Sequence, residues 1–496
     1  LTLAGLILAP MFGGLLAWAA ERRRSGLGRW VAAASLGLVL CWLVLVWGSL
    51  GPDVWGLRQA LPWIPQLGIG FRLELDGLSL VLCLLTAFLG LMAVAASWTS
   101  VTERAGFFHL NLLWTLGGVL GVFLARDLFL FFLFWELMLV PMFLLIRLWG
   151  HVGRERAAMK FLLFTQGSGL LLLLGVLLLV LGRREVTGEL TFAFSDVPLT
   201  GLAPDLAFAA ALCLFLAFAV KLPMLPLHVW LADAHSEAPT GASVILAGVL
   251  LKTGAYGLVR LLLPWFPDVS VSIAPIAMTL GVTGILYGAL LAFAQQDLKR
   301  LVACSSISHM GFVVVGVFAW SPTALHGVVL QMVAHGISAA ALFLLVGALE
   351  QRLGTRDMAR MGGFWGEAPR MASLGLLFAL ATLGLPGLGN FVGELLVLLG
   401  ALRDHPVAVG VALAGMVTAA VYALAMIQRV FHGPRGHGED LSDCDARESV
   451  SMGLLAGLIL WLGLYPGPVL DTVIPALDAL DRDQVMAVEA PGRGTS

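Results

Sequence analysis

Some fourteen stretches of about twenty apolar residues follow one another along this chain, with short polar loops between them. Each is long enough to cross the roughly 30 Å hydrocarbon core of a bilayer as a helix rising about 1.5 Å per residue. Lipid offers no hydrogen-bond partners, so a backbone standing in it must satisfy its own N–H and C=O groups, and a single stretch does this only as a helix. The sequence predicts an all-α polytopic membrane protein with about 14 transmembrane helices. Composition agrees: 59% of residues are apolar, 12% are charged and the mean hydropathy is +0.94, whereas soluble domains are about 25% charged.

Residues 1–496 read as one integral membrane domain, with three helices in 1–107, five in 108–262, five in 271–431, a last one at 450–470 and a short tail at 471–496. Two spans are interrupted in the same manner. The seventh carries KLPMLPLH at 221–228 and the twelfth LGLPGLGNFVGE at 383–394, each with an ionisable residue beside the break. Matching interruptions in two halves point to two inverted five-helix repeats with a site near the midplane. Proline removes an N–H and frees a carbonyl, so discontinuous helices 7 and 12 are expected to hold ordered water. The loops on the side of ERRRSGLGR, 21–29, carry most of the arginine, which places that side in the cytoplasm and both termini on the periplasmic side.

Of the 29 basic residues only Lys160, Lys221, Lys252 and Lys299 are lysine. Two of these, Lys221 and Lys252, fall inside apolar segments, where a charge costs about 2.5–3.5 kcal/mol. Arginine stays charged in proteins whereas a buried lysine can give up its proton, so lysine at these two points argues for titration. Glu136, in FFLFWELMLVPMFLLI at 131–146, lies about nine residues or roughly 13 Å into its helix, with no polar neighbour one turn away. A carboxylate so placed takes its partner from another helix, and a mid-membrane lysine suits it. Glu394 follows the break in span 12 and is placed to receive or release a proton. His335 and His309 are central in their spans, each with a relay role or a helix–helix hydrogen bond as readings, and His228 stands two turns beyond Lys221. Lys299 and Arg300 read as the opening of a helix at the cytoplasmic face, Lys160 as an anchor, and Asp233, His235 and Glu237 as a loop that caps and holds, with a gating role as the further reading.

Cys41, Cys83, Cys213, Cys304 and Cys444 show no CxxC spacing, no GxGxxG follows a strand, no Walker motif is present and no histidine pair has metal spacing. No cofactor or metal is expected in this chain, and no basic block suggests nucleic acid. The partners read from the residues are the lipid bilayer from composition, protons from the intramembrane ionisable groups and water from the broken helices.

Six stretches carry a resemblance: LDGLSL (75–80), FWELMLVPMFLLI (134–146), HVWLADAHSEAPTGASVILAGVLLKTGAYG (228–257), DLKRLVACSSISHMGF (297–312), QMVAHGISAAALFLLVGALEQR (331–352) and GNFVGE (389–394). With these the chain resembles the antiporter-like membrane subunits shared by respiratory complex I, membrane-bound hydrogenases and multisubunit sodium/proton antiporters. The ELMLVPM element and the glutamate at 394, where L- and N-type relatives typically have lysine, place the resemblance on the M-type branch. It implies a proton-relay role for Glu136, Lys221, Lys252 and Glu394, with His228, His309 and His335 in support. It implies a subunit of a proton-translocating NADH-quinone oxidoreductase in the bacterial inner membrane. The neighbours would be L- and N-type antiporter-like subunits, and flavin and iron–sulfur clusters would lie in partner subunits. Two alternatives stay within the group, a sodium/proton antiporter subunit and a hydrogenase membrane subunit. A third, from another class, is a membrane scaffold whose buried charges only pair.

Overall fold

The computed structural model describes residues 2–49, 56–194, 201–433 and 442–489, the last nine by their helix alone. Among them, thirteen helices are long and apolar enough to cross a membrane. The twelfth span is made of two shorter apolar helices, Pro369–Thr382 and Gly389–Leu402, on either side of the glycine- and proline-rich break. The seventh span runs as a helix over Pro204–Lys221 and ends there, and a short helix, Leu231–Glu237, follows after the two prolines. Both interruptions stand where the sequence places them. At the first, the Trp230 indole N–H donates to the Val220 carbonyl at 3.1 Å, so a side chain takes a place expected for water.

Burial sorts the spans into an inner and an outer set. Thr240–Trp265 and Pro322–Leu353 are 100% buried over their apolar windows and Leu298–Val317 is 94% buried, whereas Leu27–Ser49 is 22% buried. The eighth, tenth and eleventh spans thus form the centre. Small residues set how closely they approach: a Cβ at Gly336 would lie 2.8 Å from the Gly248 carbonyl oxygen, so the eighth and eleventh spans touch backbone to backbone. The same closeness joins the seventh and eighth spans, where a Cβ at Gly254 would lie 2.8 Å from the Phe218 oxygen and 3.0 Å from the Lys221 Cβ.

The one sheet among the described residues is an antiparallel hairpin of Leu57–Ile64 and Ile69–Leu75, outside the spans. It turns at Gly68, whose φ of 68° favours glycine, and is held to the fifth span by a hydrogen bond from Gly70 N–H to Asp127 at 2.9 Å. The region expected as a short tail from 471 is helical, within Gly467–Glu489. Val469, Val473, Ala476 and Leu477 are buried along one of its faces, at helical spacing. Its acidic residues hide this face from a hydropathy reading; residues 490–496 lie outside the described residues.

Candidate functional site

Lys252 stands in the middle of the eighth span, and the helix is not α-helical on either side of it. Two π-helical stretches, Leu246–Leu250 and Leu258–Leu262, flank the seven residues Leu251–Gly257. A wider turn displaces carbonyls from their usual donors, and such turns are frequent at functional sites. Here the Lys252 ammonium donates to the Ala247 carbonyl, five residues back, at 2.7 Å. It also lies 2.7 Å from His335 Nδ1. With the ammonium as donor, Nδ1 accepts and a neutral His335 carries its proton on Nε2, which has no partner among the described residues. The Gly248–Gly336 contact places the two side chains within this reach.

From His335 the polar groups continue across the centre. The His335 and His309 rings lie 5.3 Å apart at 52°. His309 Nδ1 is 2.8 Å from Glu394 Oε1, and the Gln331 amide donates to the same oxygen at 3.0 Å. Tyr422 places its hydroxyl 3.5 Å from His309 Nε2. Lys252, His335, His309 and Glu394 therefore form one file drawn from four spans, each residue no more than 3% exposed. At its far end Glu394 lies against Gly384, whose φ of 77° belongs to the break in span 12. Asn390, one turn before Glu394, is fully buried with both side-chain atoms unpartnered among the described residues.

Glu136 and Lys221 are arranged differently. The fifth span is irregular just after Glu136, with helices Leu128–Leu137 and Leu139–Trp149 meeting at Met138, because Pro141 has no N–H for the Leu137 carbonyl. Glu136 is half-buried. Lys221 is the last residue of its helix and 1% exposed, at the end where backbone carbonyls favour a cation. The two act on each other electrostatically but are not hydrogen-bonded. Glu136 Oε2 accepts from the Gln166 amide at 3.0 Å, Oε1 has no partner, and the Lys221 ammonium has none either among the described residues. The ammonium lies 5.2 Å from the centre of the Trp135 ring. His228 joins neither group; it packs edge-on against Tyr287 with its Nδ1 unpartnered among the described residues.

Lys299 opens its helix as the sequence places it and His235 lies in the short helix before the eighth span, but both are buried rather than at the surface. Lys299 is fully buried and donates to the Ala238 carbonyl. His235 is also fully buried, stacked 4.7 Å from the Phe343 ring, with neither nitrogen partnered among the described residues, and Lys252 and Lys299 are the charges that act on it. Close by, a cavity of about 450 Å³ opens on the arginine-rich side, lined by His151, Glu237, Asp297, Glu350 and Arg356 among others. Burial first, then Lys299 and Arg356, push the His151 pKa down to about 4, so its ring is neutral at neutral pH in the 3.4 Å contact it makes with Glu350. The scarcity of lysine was the available signal for Lys299; its depth left no other mark.

On the opposite side Asp76 caps the third span through Ser79 N–H at 2.9 Å and takes Arg126 at 2.7 Å and Arg260. Burial alone would raise its pKa, but the two guanidiniums and the Ser79 N–H outweigh this and hold it well below the usual carboxylate range. Tyr256 adds a hydrogen bond to the Phe123 carbonyl at 3.0 Å. The end of the eighth span is thereby clamped to the third, fourth and fifth, by residues outside the set singled out from sequence.

Comparison with known proteins places these residues among relatives. Residues 125–421 match the family model described as NADH:quinone oxidoreductase/Mrp antiporter, transmembrane. NADH-quinone oxidoreductase subunit M of Pseudomonas aeruginosa is 52% identical over 481 residues, 94% of each chain. A chain of respiratory complex I from Thermus thermophilus, solved with bound NADH, superposes with a TM-score of 0.88 at 33% identity, over 97% of this chain and 100% of that one. A chain of the Mrp complex from Dietzia has a TM-score of 0.85 at 26% identity, over 98% of this chain and 52% of that one.

Proposed function

The chain belongs to the NADH:quinone oxidoreductase/Mrp antiporter family, on its subunit M branch, and from this premise we propose that Glu136, Lys221, Lys252 and Glu394 carry protons across the membrane. The protein is a proton-translocating, antiporter-like subunit of NADH-quinone oxidoreductase, a multi-pass protein of the bacterial inner membrane that works with other subunits of that complex. The observation that carries the residue assignment is the buried file from Lys252 through His335 and His309 to Glu394.

The relay works through the Glu136–Lys221 pair. Bonded to Lys221, the carboxylate stabilises the ammonium and keeps its proton on; apart from it, the ammonium has only the Trp135 face and the helix end, and the proton is released more readily. The Lys221 Cβ lies against the eighth span at Gly254, two residues beyond Lys252, and the released proton passes through water to Lys252 and then along the file. Lys252 donates to His335 Nδ1 and Nε2 is the ring's second proton site, so the ring takes a proton on one nitrogen and yields one from the other. Moving a charge against 100 mV costs roughly 2.3 kcal/mol, less than two decades of proton affinity. Electron transfer to quinone in other subunits supplies the drive; flavin and iron–sulfur clusters belong to those subunits, and this chain does no redox chemistry. Its neighbours are the L- and N-type subunits, its halves 108–262 and 271–431 are inverted repeats, and both termini face the periplasm. The likeness to the Mrp chain favours a second reading, a sodium/proton antiporter subunit, which would show sodium-dependent exchange in vesicles without NADH.

The test is NADH-driven proton uptake in inverted membrane vesicles carrying Glu136→Gln, with NADH oxidation and the amount of assembled complex measured alongside. The expected result is normal assembly with loss of pumping and of coupled turnover. Normal pumping would make Glu136 structural and end the relay reading.

A further inference from the structure

The partner of Glu136 in this structure is neither charged nor on its own helix. Gln166 lies on the sixth span, Arg154–Thr187, and its amide donates to Oε2 at 3.0 Å. One turn further on the same face is Gly169, where an added Cβ would overlap Oε1. Between them Ser168 donates to the Ala217 carbonyl at 3.0 Å, one turn before Lys221. The amide, the glycine recess and the ammonium are therefore held in fixed relation by two helices pinned to each other. Lys160, six residues before Gln166 on the same helix, is engaged with Asp233 at 2.7 Å.

We infer that Gln166 and Gly169 form a second docking place for the Glu136 carboxylate, a neutral rest that holds it away from Lys221 and so sets the open position of the switch. The inference rests on the relay reading above and adds a positioning residue to it. A neutral donor suits the task. A lysine or arginine at 166 would hold the carboxylate with a full opposite charge, as Lys221 does, and leave no bias to draw it back. An apolar residue would leave the carboxylate no partner except Lys221. An amide offers one hydrogen bond to a charged acceptor, enough to favour the rest by about tenfold or more, yet weaker than a full opposite charge in a medium of low dielectric. The carboxylate is then free to return when its counterpart is charged. Gly169 leaves room for Oε1, the oxygen with no partner among the described residues.

The experiment uses the whole complex in inverted vesicles with Gln166→Leu, Gln166→Glu and Glu136→Gln compared side by side, for proton uptake per NADH across pH and for assembly. Gln166→Leu is expected to lower uptake per NADH at least threefold with assembly intact. In Gln166→Glu the two carboxylates share one proton, and the protonated partner donates as the amide does, so uptake should approach the parental level at acid pH and fall as pH rises and that proton leaves. If Glu136→Gln abolishes pumping while Gln166→Leu keeps the parental ratio and pH profile, the docking role is wrong and the relay reading stands. If Glu136→Gln has no effect, both fall. Should Gln166→Leu fail to assemble, the Glu variant decides: a flat pH profile overturns the inference.

Discussion

The two polar regions of this protein are built to opposite specifications. At the centre, Lys252 is bonded to His335 and His309 to Glu394, with the two histidine rings 5.3 Å apart, and all but Glu394 stand on the most deeply buried spans. Toward the outside, Glu136 and Lys221 face each other across a gap, each with an unpartnered atom among the described residues and each beside a helix irregularity. A buried pair joined by a hydrogen bond is held in one arrangement, while a pair that is not bonded to each other is held only loosely in any. The difference separates a conductor from a switch.

Cutting the conductor should have the largest effect. Lys252→Met removes the one donor to both Ala247 and His335 while keeping side-chain volume, and NADH-driven proton uptake should fall more than tenfold with the complex still assembled; near-parental uptake would show that protons bypass the file. A smaller effect is expected where the conductor is clamped. Asp76→Asn leaves Arg260 and Arg126 without their shared anion, which in a buried pair costs about 3–5 kcal/mol and should lower the thermal stability of the detergent-solubilised complex. The sign of its pH dependence follows from the folded-state pKa, which lies below the ordinary 3.8: the Asp76 contribution is fully present above that value and is lost as pH falls further, through the folded-state pKa. Parent and Asp76→Asn melting at the same temperature at pH 7 would contradict the clamp. The smallest effect belongs to His228, which touches neither region; His228→Gln should leave uptake within about twofold, and a collapse would place His228 on the route after all.

Sequence reveals what membranes make expensive. Glu136, Lys221, Lys252 and Glu394 stand out because a charge among apolar residues is conspicuous, and the breaks at 221–228 and 383–394 because proline and glycine mark them. The features that decide how these residues meet are cheaper and therefore quieter. Gln166 sits in FTQGSG, polar but uncharged, and disturbs hydropathy hardly at all. The π turns beside Lys252 lie in ILAGVLLKTGAYGLVRLLL, which contains no proline, and one surplus residue per turn leaves no compositional trace. Lys299 and His235 were legible as polar but not as deep, since their depth comes from the packing of Leu298–Val317 and Pro322–Leu353 around them.

The wide turns on both sides of Lys252 also have a mechanical meaning. Each holds slack of one residue, and in an α-helix one residue corresponds to a rotation of about 100°. A residue passed from one wide turn to the other would spin the seven-residue segment Leu251–Gly257 about its own axis while both ends of the span stayed in place. In the arrangement seen here that segment is held against such a turn by the Gly248–Gly336 contact at one end and by Arg260 on Asp76 at the other.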